Sequence, residues 1–280
     1  MKISAEFLKR SLFENKARTI GIFIISFFVF IAVFADWIVP YDPKAFGVPF
    51  QKPSWDHILG TNDMGQDIFS EVIYGTRPSL LIGIAAATLS IIIGVIIGLI
   101  AGYYRGIMED IVLGATDIFI LIPGLPLMIL ITTYLTPSFW NVILVIGILW
   151  WSRTARAVHS KVIQVRERDF VNTAKSMGKS HSTIMWKHIM VNTKDVIFAK
   201  YVMAISSAMI AEASLAFIGM GDPFHLSWGA IINHAFSRGG YALGLWWWYL
   251  VPGIMISVVA FSFILLSWPS KRNKVEQVVL

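Results

Sequence analysis

Six long apolar runs constrain the fold of this 280-residue sequence more than any other feature. A helix needs about 20 apolar residues to cross the roughly 30 Å hydrocarbon core of a bilayer. Only 14% of the residues are charged, compared with roughly 25% in a typical soluble domain. We therefore predict an all-α transmembrane protein with six spans, at 20–39, 79–104, 111–135, 136–158, 196–220 and within 239–270.

The basic residues are unevenly distributed around these spans. Short loops rich in Lys and Arg stay in the cytoplasm, and 19 of the 23 basic residues fall on one side of the predicted membrane. They flank spans and form no nucleic-acid-binding motif, so we expect a multi-pass protein of the cell membrane with lipid, and no nucleic acid, as partner. The predicted divisions are a cytoplasmic tail at 1–19, a first transmembrane helix at 20–39, an extracytoplasmic loop at 40–78, a transmembrane core at 79–270 and a second cytoplasmic tail at 271–280.

The cytoplasmic loop at 159–195 is long enough for two amphipathic helices. Asp169 can cap the first, and Gly178 ends it. A second helix can start at Ser180 or Ser182. Such helices need an apolar surface, which a protein groove or the lipid interface supplies. The apolar residues of the first helix are Phe170, Val171, Ala174 and Met177, and those of the second are Ile184, Met185, Ile189 and Met190.

Cofactor sites within the chain are not expected. The sequence has no Cys, which excludes thiolate metal sites and disulfides. Residues 178–180, Gly-Lys-Ser, match the end of a phosphate-binding loop, but Thr173 stands where the first glycine of that motif belongs. His225 and His234 are nine residues apart with only Asp222 as a nearby carboxylate, which is a poor metal site.

The spans contain small and polar residues with structural meaning. Four glycines repeat every four residues, which favours close packing, either within the chain or at a subunit interface. Asp117 and Glu212 lie in apolar segments, where a charge is costly; they predict polar contacts that pack helices or stabilise a gate, or a proton relay. Pro123 and Pro126 predict a kink in the third span. The glycines are Gly94, Gly98, Gly102 and Gly106.

Four separate segments resemble one family. Residues 169–178, Asp-Phe-Val-Asn-Thr-Ala-Lys-Ser-Met-Gly, with 186–192, resemble the EAA loop of ABC-importer permeases, with Asn-Thr-Ala in place of Glu-Ala-Ala. The other three segments resemble the dipeptide/oligopeptide/nickel branch of those permeases. They are 59–67 with 73–83, 212–221 and 227–230.

This resemblance implies a six-span type I importer permease of the MetI-like fold with a cytoplasmic coupling helix. It implies half of a pore for di- or oligopeptides, with nickel or oligosaccharides as alternatives. A proton-driven secondary transporter is disfavoured because the sequence shows no inverted repeat or His relay. The implied partners are a second, homologous permease, two nucleotide-binding subunits that bind ATP and Mg, and an extracytoplasmic substrate-binding protein.

The resemblance also implies roles for two sets of residues. Both sets are transferred by position in the motifs. The expected ATPase-coupling residues are Asp169, Phe170, Asn172, Thr173, Ala174, Met177, Gly178, His188 and Asn192, and the expected binding-protein docking residues are Gly60, Thr61, Asp63, Gly65 and Asp67.

Overall fold

The computed structural model describes residues 16–268. These residues form helices and no β-strand, apart from one isolated bridge. Helices suit the apolar segments because each backbone N–H then bonds within the segment, as hydrocarbon requires. In chain order the helices are α1 (Lys16–Ile38), α2 (Ile68–Tyr104), α3 (Ile107–Leu121), α4 (Gly124–Tyr134), α5 (Phe139–Leu149), α6 (Trp151–Arg166), α7 (Asp169–Ser176), α8 (His181–Thr183), a π-helical segment (Ile184–Ile189), α9 (Met190–Phe217), α10 (Trp228–Ser237) and α11 (Trp246–Ser267).

Four helical stretches in the described part of the chain are long and apolar enough to cross a membrane. They are α1, α2, the run His181–Phe217 and α11. A fifth span results if α3 and α4 count as one, although they meet at a bend of 88°. Pro123 directly precedes α4. The predicted kink in the third span is therefore confirmed, but the helix is fully interrupted there and the chain turns by 88°.

The prediction of six spans is not confirmed, because residues 136–158 do not form one apolar helix. They are divided between α5 and α6 by a break at Trp150. Helix α6 then continues to Arg166, past the predicted end of the span. Polar residues such as Arg153 and Arg156 make α6 amphipathic, whereas the prediction weighted only the uncharged run before them.

The described residues divide into two compact units. The first unit contains the residues up to Ile82 and those from Met209 onward, and the second unit is Gly83–Ala208. In the first unit α1 packs against α11 so closely that a Cβ on Gly21 would lie 2.7 Å from the Ser262 carbonyl oxygen. The core of this unit also contains the fully buried Trp228.

The second unit contains the glycine repeat. Gly94, Gly98 and Gly102 face α6, and a Cβ on Gly98 would lie 2.5 Å from the Ala155 carbonyl oxygen. The repeat therefore packs two helices of the same chain. Gly106 does not take part: it has open space around it and a φ of +70°, and it precedes α3. Its predicted packing role is wrong because α2 ends at Tyr104.

Candidate coupling and docking sites

Helix α7, in the segment that resembles the EAA loop, has a buried side and an exposed side. Val171 and Ala174 are buried in the apolar cluster of the second unit. Phe170, Thr173 and Met177 are exposed, and the exposed fraction of Met177 is 71%. The apolar stripe predicted from the sequence is thus divided: its small residues stabilise the chain, and its large ones are available to a partner. Ala174 cannot contact a partner here, which corrects the prediction for that residue.

The two ends of α7 match the predictions unequally. Asp169 is the first helical residue rather than the cap, and Arg168 occupies the capping position without a side-chain bond. The acid in the first turn still interacts favourably with the helix dipole. Gly178 ends the helix as predicted, with a φ of +72° and with the Lys179 amide donating to the Ala174 carbonyl oxygen at 3.2 Å.

The predicted second cytoplasmic helix is the beginning of a longer helix. Ser180 caps it, because its hydroxyl oxygen accepts a hydrogen bond from the Thr183 amide at 3.3 Å. From there the helix continues through the π-helical segment into α9. His188 and Asn192 make local bonds: the side-chain amide of Asn192 donates to the His188 carbonyl oxygen at 2.6 Å, and the Lys179 ammonium lies 3.3 Å from His188 Nε2.

One ion pair and one side-chain hydrogen bond connect α3 with α6. Asp117 pairs with the guanidinium of Arg156, and Glu109 lies 2.8 Å from the ring of His159. Asp117 therefore has a partner within the chain, as a helix-packing role requires. Sequence reasoning missed the other three residues. Arg156 and His159 are three positions apart on one helical face, and that spacing was the available signal.

Glu212 is buried in the first unit. The Ser227 hydroxyl is hydrogen-bonded to its carboxylate, and Ser227 also accepts a bond from the Ala230 amide at the start of α10. These hydrogen bonds stabilise the N-terminus of α10. Among the described residues, the hydrogen bonds do not link Glu212 to a second ionisable side chain, as a proton relay would require.

The extracytoplasmic loop is folded around glycines. Gly60 and Gly65 have φ values of +68° and +76°, where L side chains are strained. A Cβ on Gly60 would lie 2.2 Å from the Gln51 carbonyl oxygen, and one on Gly65 would lie 2.1 Å from the Gly47 carbonyl group. Only glycine allows these backbone segments to approach so closely.

Polar side chains complete the fold of this loop. Asn62 is fully buried, and its amide donates to Gln66 and to Glu71, each at 2.9 Å. Asp67 is buried as well and accepts bonds from both the amide and the hydroxyl of Ser70. Buried polar groups need such partners, so these residues hold the loop together.

The predicted docking residues are therefore mostly structural. Gly60, Thr61, Gly65 and Asp67 are buried and cannot contact a binding protein in this conformation. Asp63 is partly exposed, with its carboxylate 3.6 Å from the guanidinium of Arg238. The same loop exposes other residues that sequence reasoning missed: Phe46, Val48, Trp55 and Ile58.

Arg238 also contacts His234 on α10, at 3.1 Å. The guanidinium can only donate, so His234 accepts through an unprotonated ring nitrogen. Burial and the nearby Arg238 charge lower the pKa of His234 from 6.5 to about 4. Among residues 16–268, no three His, Asp or Glu side chains come together as metal ligands.

The sequence-family model of the binding-protein-dependent transport system inner membrane component matches residues 94–268, more than half of the sequence. The chain belongs to this family. A second model, of the N-terminal transmembrane domain of oligopeptide transport permease C, matches residues 7–57. The family membership that the motifs suggested is confirmed, and the permease is a multi-pass membrane protein with a transport role.

Named relatives cover most of the permease. The oligopeptide transport system permease protein OppC of Bacillus subtilis is 33% identical over 254 residues, or 89% of this chain and 82% of the relative. The dipeptide transport system permease protein DppC of the same organism is 31% identical over 258 residues, or 91% and 80%. The glutathione transport system permease protein GsiD of Escherichia coli is 35% identical over 235 residues, or 82% and 77%.

A solved structure has the same fold. A chain from inward-facing crystals of the MetNI methionine ABC transporter superposes with a TM-score of 0.56, over 75% of the permease and 96% of that chain. At 14% identity this likeness establishes the fold, which confirms the predicted class. An ABC importer permease functions with ATPase and substrate-binding partners in general.

Proposed function

We propose that the permease forms half of the translocation pore of an ATP-driven importer of di- or oligopeptides. The observation that carries this proposal is the set of relatives at 31–35% identity, whose names specify oligopeptide, dipeptide and glutathione transport. Glutathione is itself a small peptide, so the three names share a substrate class.

The partners in this proposal are a second, homologous permease, two nucleotide-binding subunits and an extracytoplasmic binding protein. The nucleotide-binding subunits hold ATP and Mg and carry out hydrolysis. The exposed side of α7, formed by Phe170, Thr173 and Met177, is the surface that contacts an ATPase subunit. An amphipathic helix that inserts large apolar side chains into a groove is a common recognition mode.

Both termini are cytoplasmic in this proposal. The excess of basic residues on one side supports the orientation, and so does the location of α7 within the most basic stretch, Arg153 to Lys194. The exposed residues of the extracytoplasmic loop, Phe46, Val48 and Trp55, then face the binding protein. They supply an apolar contact area that the buried motif residues do not.

Purification from native membranes tests the proposal. The tagged permease is expected to co-purify with an ABC ATPase and a second permease. Proteoliposomes that contain this complex and ATP are expected to accumulate peptides when the binding protein is added outside. Recovery of the permease without any nucleotide-binding subunit would contradict the mechanism, and ATP-dependent uptake of nickel or oligosaccharide without peptide uptake would contradict the substrate class.

A further inference from the structure

Helix α7 is short, and the rest of the second unit holds it in place. Its eight residues are fewer than an isolated helix needs to be stable in water. Val171 and Ala174 pack into the same apolar cluster as Leu99 and Tyr103 of α2. Helix α6 and the π-helical segment adjoin α7 through short linkers, whereas α2 lies far from it along the chain. Packing and side-chain contacts, rather than a linker, therefore connect α2 with α7.

Tyr103, in the last turn of α2, contacts the segments on both sides of α7. Its hydroxyl oxygen lies 2.7 Å from Nδ1 of His181, which follows α7 in the chain. The two rings also meet edge to face, with centroids 5.7 Å apart. On the other side, the guanidinium of Arg166, the last residue of α6, lies 5.9 Å from the centre of the tyrosine ring. One buried side chain therefore contacts both flanks of α7.

Arg105, the first residue after α2, makes a further contact with the first of these flanks. Its guanidinium lies 2.6 Å from a carboxylate oxygen of Glu167, in the linker between α6 and α7. The backbone of Arg105 is left-handed, with a φ of +53°, and such strain persists only where the surrounding structure holds it. Both charged groups are exposed, and an exposed ion pair adds little stability. The pair therefore contributes to the position of the linker more than to the stability of the fold.

We propose that Tyr103 and Arg105 are positioning residues that make the end of α2 follow α7 when an ATPase subunit moves it. This inference rests on the proposed function, in which the exposed side of α7 contacts that subunit. Helix α6 and the π-helical segment are joined to α7 by the chain and follow it in any case. Helix α2, which is long enough to cross a membrane, follows only as far as the side-chain contacts and the apolar packing hold.

Removal of one hydroxyl group tests the role of Tyr103. In the reconstituted complex, Tyr103→Phe keeps the ring and loses the bond to His181. Substrate uptake per ATP hydrolysed is expected to fall about fivefold, as the loss of one hydrogen bond predicts, while ATP hydrolysis stays within about twofold. Tyr104→Phe is the matched control and should leave the ratio unchanged, because Tyr104 is exposed and its hydroxyl has no hydrogen-bond partner among residues 16–268.

Variants of His181 test the same bond from the other side. His181→Ala should lower the ratio as much as Tyr103→Phe does. His181→Asn should recover most of the loss, because its amide can bond the tyrosine hydroxyl. The double variant Tyr103→Phe/His181→Ala should show little further loss, since both changes break one bond. Equal losses of uptake and of ATP hydrolysis, with an unchanged ratio, would show that the bond only stabilises the fold and would overturn the assignment.

An exchange of charges tests Arg105. Arg105→Glu places two carboxylates side by side and should lower the ratio about twofold. The second change Glu167→Arg should restore the ratio by forming the pair in the opposite order. A double variant no better than Arg105→Glu would contradict the role of this pair.

Spin labels measure directly whether α2 moves with α7, without any transported substrate. The chain has no Cys, so Tyr104→Cys and Ser176→Cys provide one exposed label at the end of each helix when the cysteines of the partners are replaced. The distance between the labels should stay the same when ATP binds, and it should change or broaden when Tyr103→Phe is added. The same response to ATP with and without Tyr103→Phe would overturn the inference.

Failure of the proposed function gives a different result. If the complex hydrolyses ATP and the labels respond to Tyr103→Phe as expected, but no peptide is taken up, the proposed substrate is wrong and the role of the two residues is supported. If no nucleotide-binding subunit joins the complex, the proposed function is wrong and the inference fails with it.

Discussion

The extracytoplasmic loop and helix α7 both resemble family motifs, yet they use their residues differently. In the loop, Gly60, Thr61 and Asp67 are buried, and they hold the backbone together. In α7, Phe170 and Met177 are exposed although they belong to the same apolar stripe as buried neighbours. A recognisable motif therefore identifies a segment, and burial decides which of its residues fold the chain and which can bind a partner.

The largest expected effect is that of Gly65→Ala in the loop, and Gly178→Ala in the EAA-like segment is its counterpart. Gly65→Ala should cost at least about 3 kcal/mol, because a positive φ and the Gly47 carbonyl group both oppose a Cβ. Gly178→Ala should cost only roughly 1 kcal/mol, because its positive φ is strained but nothing lies within 4 Å. The free energy of unfolding of both variants can be measured by titration with SDS in mixed micelles and compared with that of the wild type. Equal losses of stability would contradict the conclusion that Gly65 is closely packed and Gly178 is not.

Two asparagines provide the next comparison. Asn62→Ala leaves the buried Glu71 carboxyl group without this donor and should cost about 2–3 kcal/mol. Asn172→Ala, on the exposed surface of α7, should change stability by less than about 0.5 kcal/mol. The same titration measures both. A large loss of stability for Asn172→Ala would show that α7 depends on this side chain for folding.

Within α7 the division between folding and binding can be tested directly. Val171→Ala removes buried methyl groups and should cost about 2 kcal/mol of stability. Met177→Ala should leave stability within about 0.5 kcal/mol while it lowers ATP-driven uptake, since its side chain is exposed. Thermal melts of the purified complex, combined with uptake in proteoliposomes, separate these outcomes. Full uptake by Met177→Ala argues against a coupling contact there.

The smallest expected effect is the pH dependence that His234 contributes. Its pKa is lowered to about 4, so between pH 6.5 and 4 the unfolded chain binds a proton that the folded chain does not. The stabilisation that His234 contributes above pH 6.5 is therefore lost as the pH falls towards 4. Between pH 7 and 5 the loss should be roughly 1 kcal/mol, after a discount for partial exposure. His234→Gln should lack this part of the pH dependence; an unchanged profile would contradict the assignment.

The sequence predicted the membrane class, the position of α7 and its glycine end. These features depend on local composition and periodicity, which a single segment displays. It did not predict the break at Trp150, because an uncharged run gives no sign that the helix is interrupted. The apolar run 136–152 therefore looked like the start of one span.

The contact residues were harder to predict than the segments. Whether Ala174 or Met177 is exposed depends on which face of α7 meets the rest of the second unit. Similarly, the pairing of Glu109 with His159 joins residues 50 positions apart. Such choices are made by tertiary packing, and a motif in one sequence does not contain that information.

In the proposed mechanism, the exposed side of α7 contacts an ATPase subunit. Because the chain contains no Cys, single cysteines at Met177 and Ala174 can each be treated with a cysteine-to-lysine cross-linker in the assembled complex. Met177→Cys should cross-link to the nucleotide-binding subunit, and Ala174→Cys, buried within the chain, should not. Cross-linking from Ala174→Cys alone, or from neither variant, would contradict the account.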